Sequence, residues 1–187
     1  MAQIFVKNMV CDRCILVVQS ELDKLGLKAK EVKLGEAELE EELTREQRIA
    51  LEASLTPLGF ELIDDKKKQT IESIKTLIIE LVHREESELK TNLSTYLAQK
   101  LHQDYSFLSN LFSELDKTTI EKYYISQKIE RVKELLFYDE LTLSEIAYQL
   151  NYSSVAYLSN QFKKITGLSP SEYKKQSSKQ RKSLDSL

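Results

Sequence analysis

One block of residues occurs twice in this chain, about fifty positions apart, and it limits the fold more than any other feature. Leu108-Ser109-Asn110-Leu111-Phe112 returns as Leu158-Ser159-Asn160-Gln161-Phe162. Upstream, Leu97-Ala98 answers to Ile146-Ala147, and Leu101 to Leu150. The offset is 50 at the first match and 49 at the other two, so the second copy has gained one residue between them. Two copies of one supersecondary unit are the simplest account. Only four Gly and two Pro occur in 187 residues. Helix breakers are scarce, and a helix-rich fold is expected.

Each copy reads as helix, tight turn, helix. Residues 93–101 are followed by His102-Gln103-Asp104, and residues 143–150 by Asn151-Tyr152-Ser153-Ser154. Asn, and less readily His, tolerates the positive φ that such turns need. Asp104 and Ser154 are suitable N-caps for second helices over 105–115 and 155–165. The two units thus span about 93–115 and 143–165. Ile125, Ile129, Val132 and Leu136 mark a long helix joining them. Ile71, Ile74, Ile78 and Leu81 form another stripe, either packed within the helical domain or serving as a short dimerising coiled coil. Monomer and homodimer both stay open.

On the second helices, Leu108, Leu111, Phe112, Leu158 and Phe162 are expected inside. The opposite faces carry Ser106, Ser109 and Asn110 in one copy and Val155, Ala156, Ser159 and Asn160 in the other. These are solvated helix residues or base-reading ones. Asn can pair bidentately with adenine, Ser can meet several base edges, and Val or Ala can meet a thymine methyl. Two such helices on a rigid connector could enter adjacent major grooves of double-stranded DNA, about 34 Å apart. The net charge of −3 argues weakly against such a partner, but residues 91–187 hold 13 basic and 11 acidic side chains. Between Lys163 and Lys182 stand seven basic residues and one acidic. Lys163 and Lys164 are candidate phosphate contacts, and residues 176–187 read as a basic flexible tail.

Residues 143–174 contain Leu143-Ser144-Glu145-Ile146-Ala147, Phe162-Lys163-Lys164, Thr166-Gly167, Pro170 and Tyr173. This pattern resembles the AraC/XylS-type helix-turn-helix regulators, and the resemblance covers about residues 71–175. It implies a promoter-binding transcription regulator that reads DNA through Ser106, Ser109, Asn110, Val155, Ala156, Ser159 and Asn160. RNA polymerase is a second implied partner. Departures from the pattern are Asp116 in place of Gly, Lys128 in place of Arg, and Asn151-Tyr152 in place of Gly-Phe. No Arg stands on either reading face, so Arg–guanine pairing is missing and an A·T-leaning site is expected.

Residues 1–65 alternate short strand and helix patterns. Ile4 and Val6 suggest a strand, and Ile15, Val18, Leu22 and Leu25 a helix. Residues 32–34 and 37–39 read as a hairpin about Gly35. Leu51, Leu55 and Leu58 mark a second helix closed by Gly59. Phe60 and Leu62 complete a βαββαβ order, the ferredoxin-like arrangement. The charge run 64–69 marks the boundary, so the expected fold is an α+β domain over 1–65 and an all-α domain over 66–175.

Cys11 and Cys14, the only cysteines, lie between the first strand and helix. A thiol at a helix N-terminus favours thiolate, and two thiolates suit Cu(I) or another thiophilic metal. A disulfide between them is a second possibility, and an interaction module without metal a third. Met9-Val10-Cys11-Asp12-Arg13-Cys14 and Gly59-Phe60 resemble the heavy-metal-associated domains of copper chaperones, which implies Cys11 and Cys14 as metal ligands. A chaperone or thiol-redox protein whose helical domain serves protein interaction is the rival to a regulator. No catalytic residue set is recognisable, and no enzyme activity is expected. No run of 18 apolar residues and no secretory signal pattern occurs, so the cytoplasm is the expected compartment.

Overall fold

The computed structural model describes residues 2–83 and 91–180, with side chains as far as Gln176. The N-terminal part runs β1 (Ala2–Lys7), α1 (Asp12–Lys24), β2 (Ala29–Lys33), β3 (Glu36–Leu39), α2 (Arg45–Leu55) and β4 (Glu61–Ile63). The strands form one antiparallel sheet in the order β2-β3-β1-β4. Alternation along the strands turns Ile4, Val6, Ala37 and Leu39 to one face, where they meet Val18 and Leu22 of α1 and Leu51 and Leu55 of α2 in a single core.

Local chemistry moves several boundaries from their expected places. Leu25 lies past the end of α1 and is 37% exposed. The second helix stops at Leu55 rather than Leu58, because Pro57 has no N–H to continue the ladder. A 3₁₀ turn over Thr56–Leu58 follows, closed by Gly59 at φ 86°. Phe60 precedes β4 instead of joining it. It is buried, and its N–H donates to the Leu55 carbonyl. The Thr44–Gln47 capping box opens α2.

The helical part comprises α3 (Lys66–His83), α4 (Leu93–Leu101), α5 (Tyr105–Asp116), α6 (Ile120–Tyr138), α7 (Leu143–Gln149), α8 (Val155–Thr166) and α9 (Pro170–Gln180). Of the charge run taken as the boundary, residues 66–69 form the first turn of α3, and only Asp64 and Asp65 lie between the two parts. The Asp65 carboxylate accepts from the N–H groups of Lys67 and Lys68 and starts the helix. Among the described residues no helix is long and apolar enough to cross a membrane.

Three of the four stripe residues on α3 pack inside the chain, while Leu81 is only partly buried. Ile71, Ile74 and Ile78 join Leu97, Leu108, Leu111, Phe112 and Ile120 in one core. A second core holds Ile129, Val132, Leu135, Leu136, Ile146, Ala147, Leu150, Tyr152, Leu158 and Phe162. Helix α6 supplies Ile120 to the first core and four residues to the second, so one continuous helix seats both units.

Helix α9 continues to Gln180, into the stretch expected as the basic tail. Ser169 and Glu172 form a reciprocal cap at its start: the Ser169 hydroxyl accepts from the Glu172 N–H at 3.3 Å, and the Glu172 carboxylate accepts from the Ser169 N–H at 2.8 Å. Residues 181–187 lie outside the described residues.

Candidate nucleic-acid interface and thiol loop

Helix α4 begins at Asn92, whose side chain accepts from the Thr95 N–H. It ends at His102, which takes φ 51°. After the single residue Gln103, Asp104 accepts from the N–H groups of Ser106 and Phe107 at 2.8 and 3.3 Å and opens α5. The second unit repeats this plan. Thr142 and Glu145 form a capping box for α7, Asn151 takes φ 53°, and the Ser154 hydroxyl accepts from the Tyr157 N–H at 3.1 Å. Two residues, Tyr152 and Ser153, separate the left-handed residue from the cap here, against one in the first unit. That is the residue gained in the second copy. Tyr152 turns inward and is buried.

The repeat extends further than its sequence match first indicates. Phe112 lies 5.7 Å from Tyr123, and Phe162 lies 5.5 Å from Tyr173, ring centroid to ring centroid. Thr119 caps α6 as Ser169 caps α9. Helix α9 is therefore the second copy of the start of α6, and Thr119/Ser169 with Tyr123/Tyr173 at an offset of 50 was the available signal. The same offset corrects one position. Lys117, at φ 53°, is the counterpart of Gly167 at φ 80°, so Asp116 does not stand in the glycine's place. Its carboxylate instead accepts from Lys75 Nζ at 2.9 Å.

All five apolar residues expected inside α5 and α8 are buried. On the outer faces, Ser106, Asn110, Ala156, Asn160, Lys163 and Lys164 are exposed, and Ser109, Val155 and Ser159 are partly so. Among the described residues, the side chains of Ser106, Ser109, Asn110, Ser159 and Asn160 have no hydrogen-bond partner. Each face thus offers unused donors and acceptors on a capped helix over its own core. Phe107 and Tyr157, at the third position of the two helices, are 51% and 54% exposed. They extend both faces and were absent from the residues expected there, although they too stand 50 apart.

Cys11 and Cys14 meet at the start of α1. Their sulfurs are 3.6 Å apart, both thiols are free, and Cys11 is exposed. The Cys14 N–H holds the Cys11 thiol below its ordinary pKa, helped by the Cys14 thiol and by Arg13. Met9 anchors the loop in the sheet core. Asn8 takes φ 72°, and its amide donates to the Gly59 carbonyl at 2.9 Å. Among the described residues no group of three or more His, Cys, Asp or Glu side chains could hold a metal ion. The donor set is two thiols alone, which excludes a four-ligand structural zinc site within those residues.

The thiol loop shares one end of the sheet with the β2–β3 turn. The Val6 N–H donates to the Gly35 carbonyl at 2.9 Å. Gly35 sits at φ 81° against α3, and a Cβ there would lie 2.7 Å from Thr76 Oγ1. A cavity of about 210 Å³ beside this contact is lined by residues of β1, the turn, α3 and the end of α4, among them Phe5, Leu34, Leu77 and Leu101.

Residues 97–176 match the family described as a helix-turn-helix domain. An uncharacterised helix-turn-helix-type transcriptional regulator of Bacillus subtilis, YtdP, is 29% identical over 105 residues, covering 56% of this chain and 13% of that protein. The msm operon regulatory protein of Streptococcus mutans is 29% identical over 80 residues, 43% of this chain and 29% of that one. The chain therefore spans less than a third of the length of these curated relatives. The C-terminal domain of AraT, a response regulator from Geobacillus stearothermophilus, superposes with a TM-score of 0.51 over 60% of this chain and 88% of that one, at 24% identity. The helical part shares its fold.

Proposed function

We propose that the AraC-type helix-turn-helix domain of the helical part makes this chain a sequence-specific, DNA-binding transcription regulator. The observation that carries this is the pair of outer faces on α5 and α8: aligned at an offset of 50, with Ser109-Asn110 repeated as Ser159-Asn160, exposed or partly so, and with unused hydrogen-bonding groups. Two heads seated on α6 let one chain engage successive major grooves. Ser106, Ser109, Asn110, Val155, Ala156, Ser159 and Asn160 read bases, while Lys163 and Lys164 hold phosphates. Selection from random duplexes tests this. The enriched sites are rich in A·T pairs at the read positions, and affinity falls steeply with salt, as phosphate neutralisation requires. Recovery of no enriched sequence at moderate salt overturns the reading.

The N-terminal part, read as ferredoxin-like from its strand order and its two helices on one face, supplies regulation. A monovalent thiophilic cation such as Cu(I) suits the two thiols Cys11 and Cys14, and when bound it would convert them to a charged bis-thiolate. The hydrogen bond from Val6 to Gly35 and the Gly35–Thr76 contact connect that loop to α3, beneath α5. An effector acts along this route only if it binds two arrangements unequally. In the double variant Cys11→Ser, Cys14→Ser, the response of DNA binding to Cu(I) disappears while metal-free affinity is kept. An undiminished response in that variant removes the thiols from the mechanism.

A further inference from the structure

Lys128 is the single buried charged residue among those described, at 8% exposure. Its Nζ lies 3.7 Å from the centre of the Tyr152 ring and 5.4 Å from that of Tyr124. Leu81 and Val82 of α3, and Gln149, Leu150 and Asn151 of the second unit, line the same recess. Among the described residues no carboxylate pairs with it, and the ring faces take the charge instead. Tyr152 is also the inward-turned residue of the lengthened turn. Its hydroxyl donates to Gln161 Oε1 at 2.8 Å. Gln161 stands on α8 where the first unit has the buried Leu111. Lys128, Tyr152 and Gln161 thus touch in series from the joining helix to the second reading helix.

We propose that Lys128 is a positioning residue, whose charge on the Tyr152 ring sets, through Gln161, how α8 presents Ser159 and Asn160 to DNA. The proposal rests on α8 reading DNA. A purely space-filling role is the alternative, and the charge separates the two. Burial lowers the Lys128 pKa to about 8, so the ammonium can be removed without mutation. Burial raises the Tyr124 and Tyr152 hydroxyls above their ordinary value. Burial and the Arg131 charge lower His83. Neither the tyrosines nor His83 titrates with Lys128 near pH 8.

The experiment uses the full chain in the Cys11→Ser, Cys14→Ser background, which removes thiol titration. Backbone amides of α8 are followed by NMR from pH 6.5 to 9.5, beside affinity for a selected duplex. The α8 amides shift with the midpoint of Lys128, and affinity falls about five-fold as its charge is lost. Lys128→Arg keeps its charge, holds the affinity at pH 7 within about two-fold, and flattens both profiles. Lys128→Met binds at pH 7 about as weakly as the parent at pH 9.5. Tyr152→Phe keeps the ring but uncouples the α8 amides from Lys128. Amides of α8 that ignore the Lys128 titration overturn the proposal, as does Lys128→Met with the parental affinity and profile. A parent that binds no duplex specifically removes the DNA reading, and the amide titration still decides the positioning role.

Discussion

Phe162→Ala lowers stability by about 3–5 kcal/mol, the usual cost of truncating an enclosed phenylalanine. Phe162 is fully buried, meets Tyr173 edge-on, and sits among residues of α6, α7 and α8. Its loss removes packing from every helix of the second unit at once. Against a typical total of about 5–15 kcal/mol, that loss leaves the second unit close to unfolding. Phe112→Ala costs a similar amount in the first unit, where Phe112 is equally buried and meets Tyr123. Ser159→Ala, on the outer face, changes stability by about 0.5 kcal/mol or less. Urea unfolding followed by circular dichroism measures all three. A loss below about 1 kcal/mol for both phenylalanines would mean that the two cores are not built as described.

Ala156→Glu combined with Asn160→Asp abolishes site-specific binding while leaving the fold intact. Both residues are exposed, and the Asn160 side chain has no hydrogen-bond partner among the described residues. Neither change disturbs the core. On DNA read as proposed, the pair would remove the bidentate base contact of Asn160 and set two carboxylates against the phosphates. Each lost base contact is worth about 1–3 kcal/mol, so with the added repulsion the affinity falls by at least about a hundred-fold. The melting temperature stays within about 2 °C of the parent. Ser106→Glu with Asn110→Asp produces the same effect through α5. Retained affinity in both double variants would place the contact surface elsewhere.

Much of this arrangement was legible in the residues. The 50-residue repeat located both units, and the start of α4, α5, α7 and α8 followed from it together with caps at Asp104 and Ser154. The left-handed turns at His102 and Asn151 followed from the few residue types that accept positive φ. What escaped had local causes. A run of charged residues at 66–68 carries no apolar period, so it did not mark a helix, yet Asp65 capping makes it one. Pro170 was visible as part of the pattern, but the capping box that Ser169 and Glu172 form around it emerged only with the hydrogen bonds. Lys117 gave no hint of left-handed geometry, since lysine has no preference for it. The inward turn of Tyr152 depended on a one-residue insertion whose direction residue spacing does not determine. The thiol loop was evident as a motif, whereas its proximity to the Gly35–Thr76 contact is a property of strand register alone.

The decisive measurement is a phasing test on a selected duplex. Five base pairs, about half a helical turn, are inserted midway between the two footprinted half-sites. If α5 and α8 occupy successive major grooves from one rigid connector, the insertion puts one half-site on the opposite face of the duplex. Affinity then drops to that of a single half-site, and a ten-base-pair insertion fails to restore it, because α6 fixes the span. Undiminished affinity and an unbroken double footprint on the five-base-pair insert would contradict paired reading by one chain.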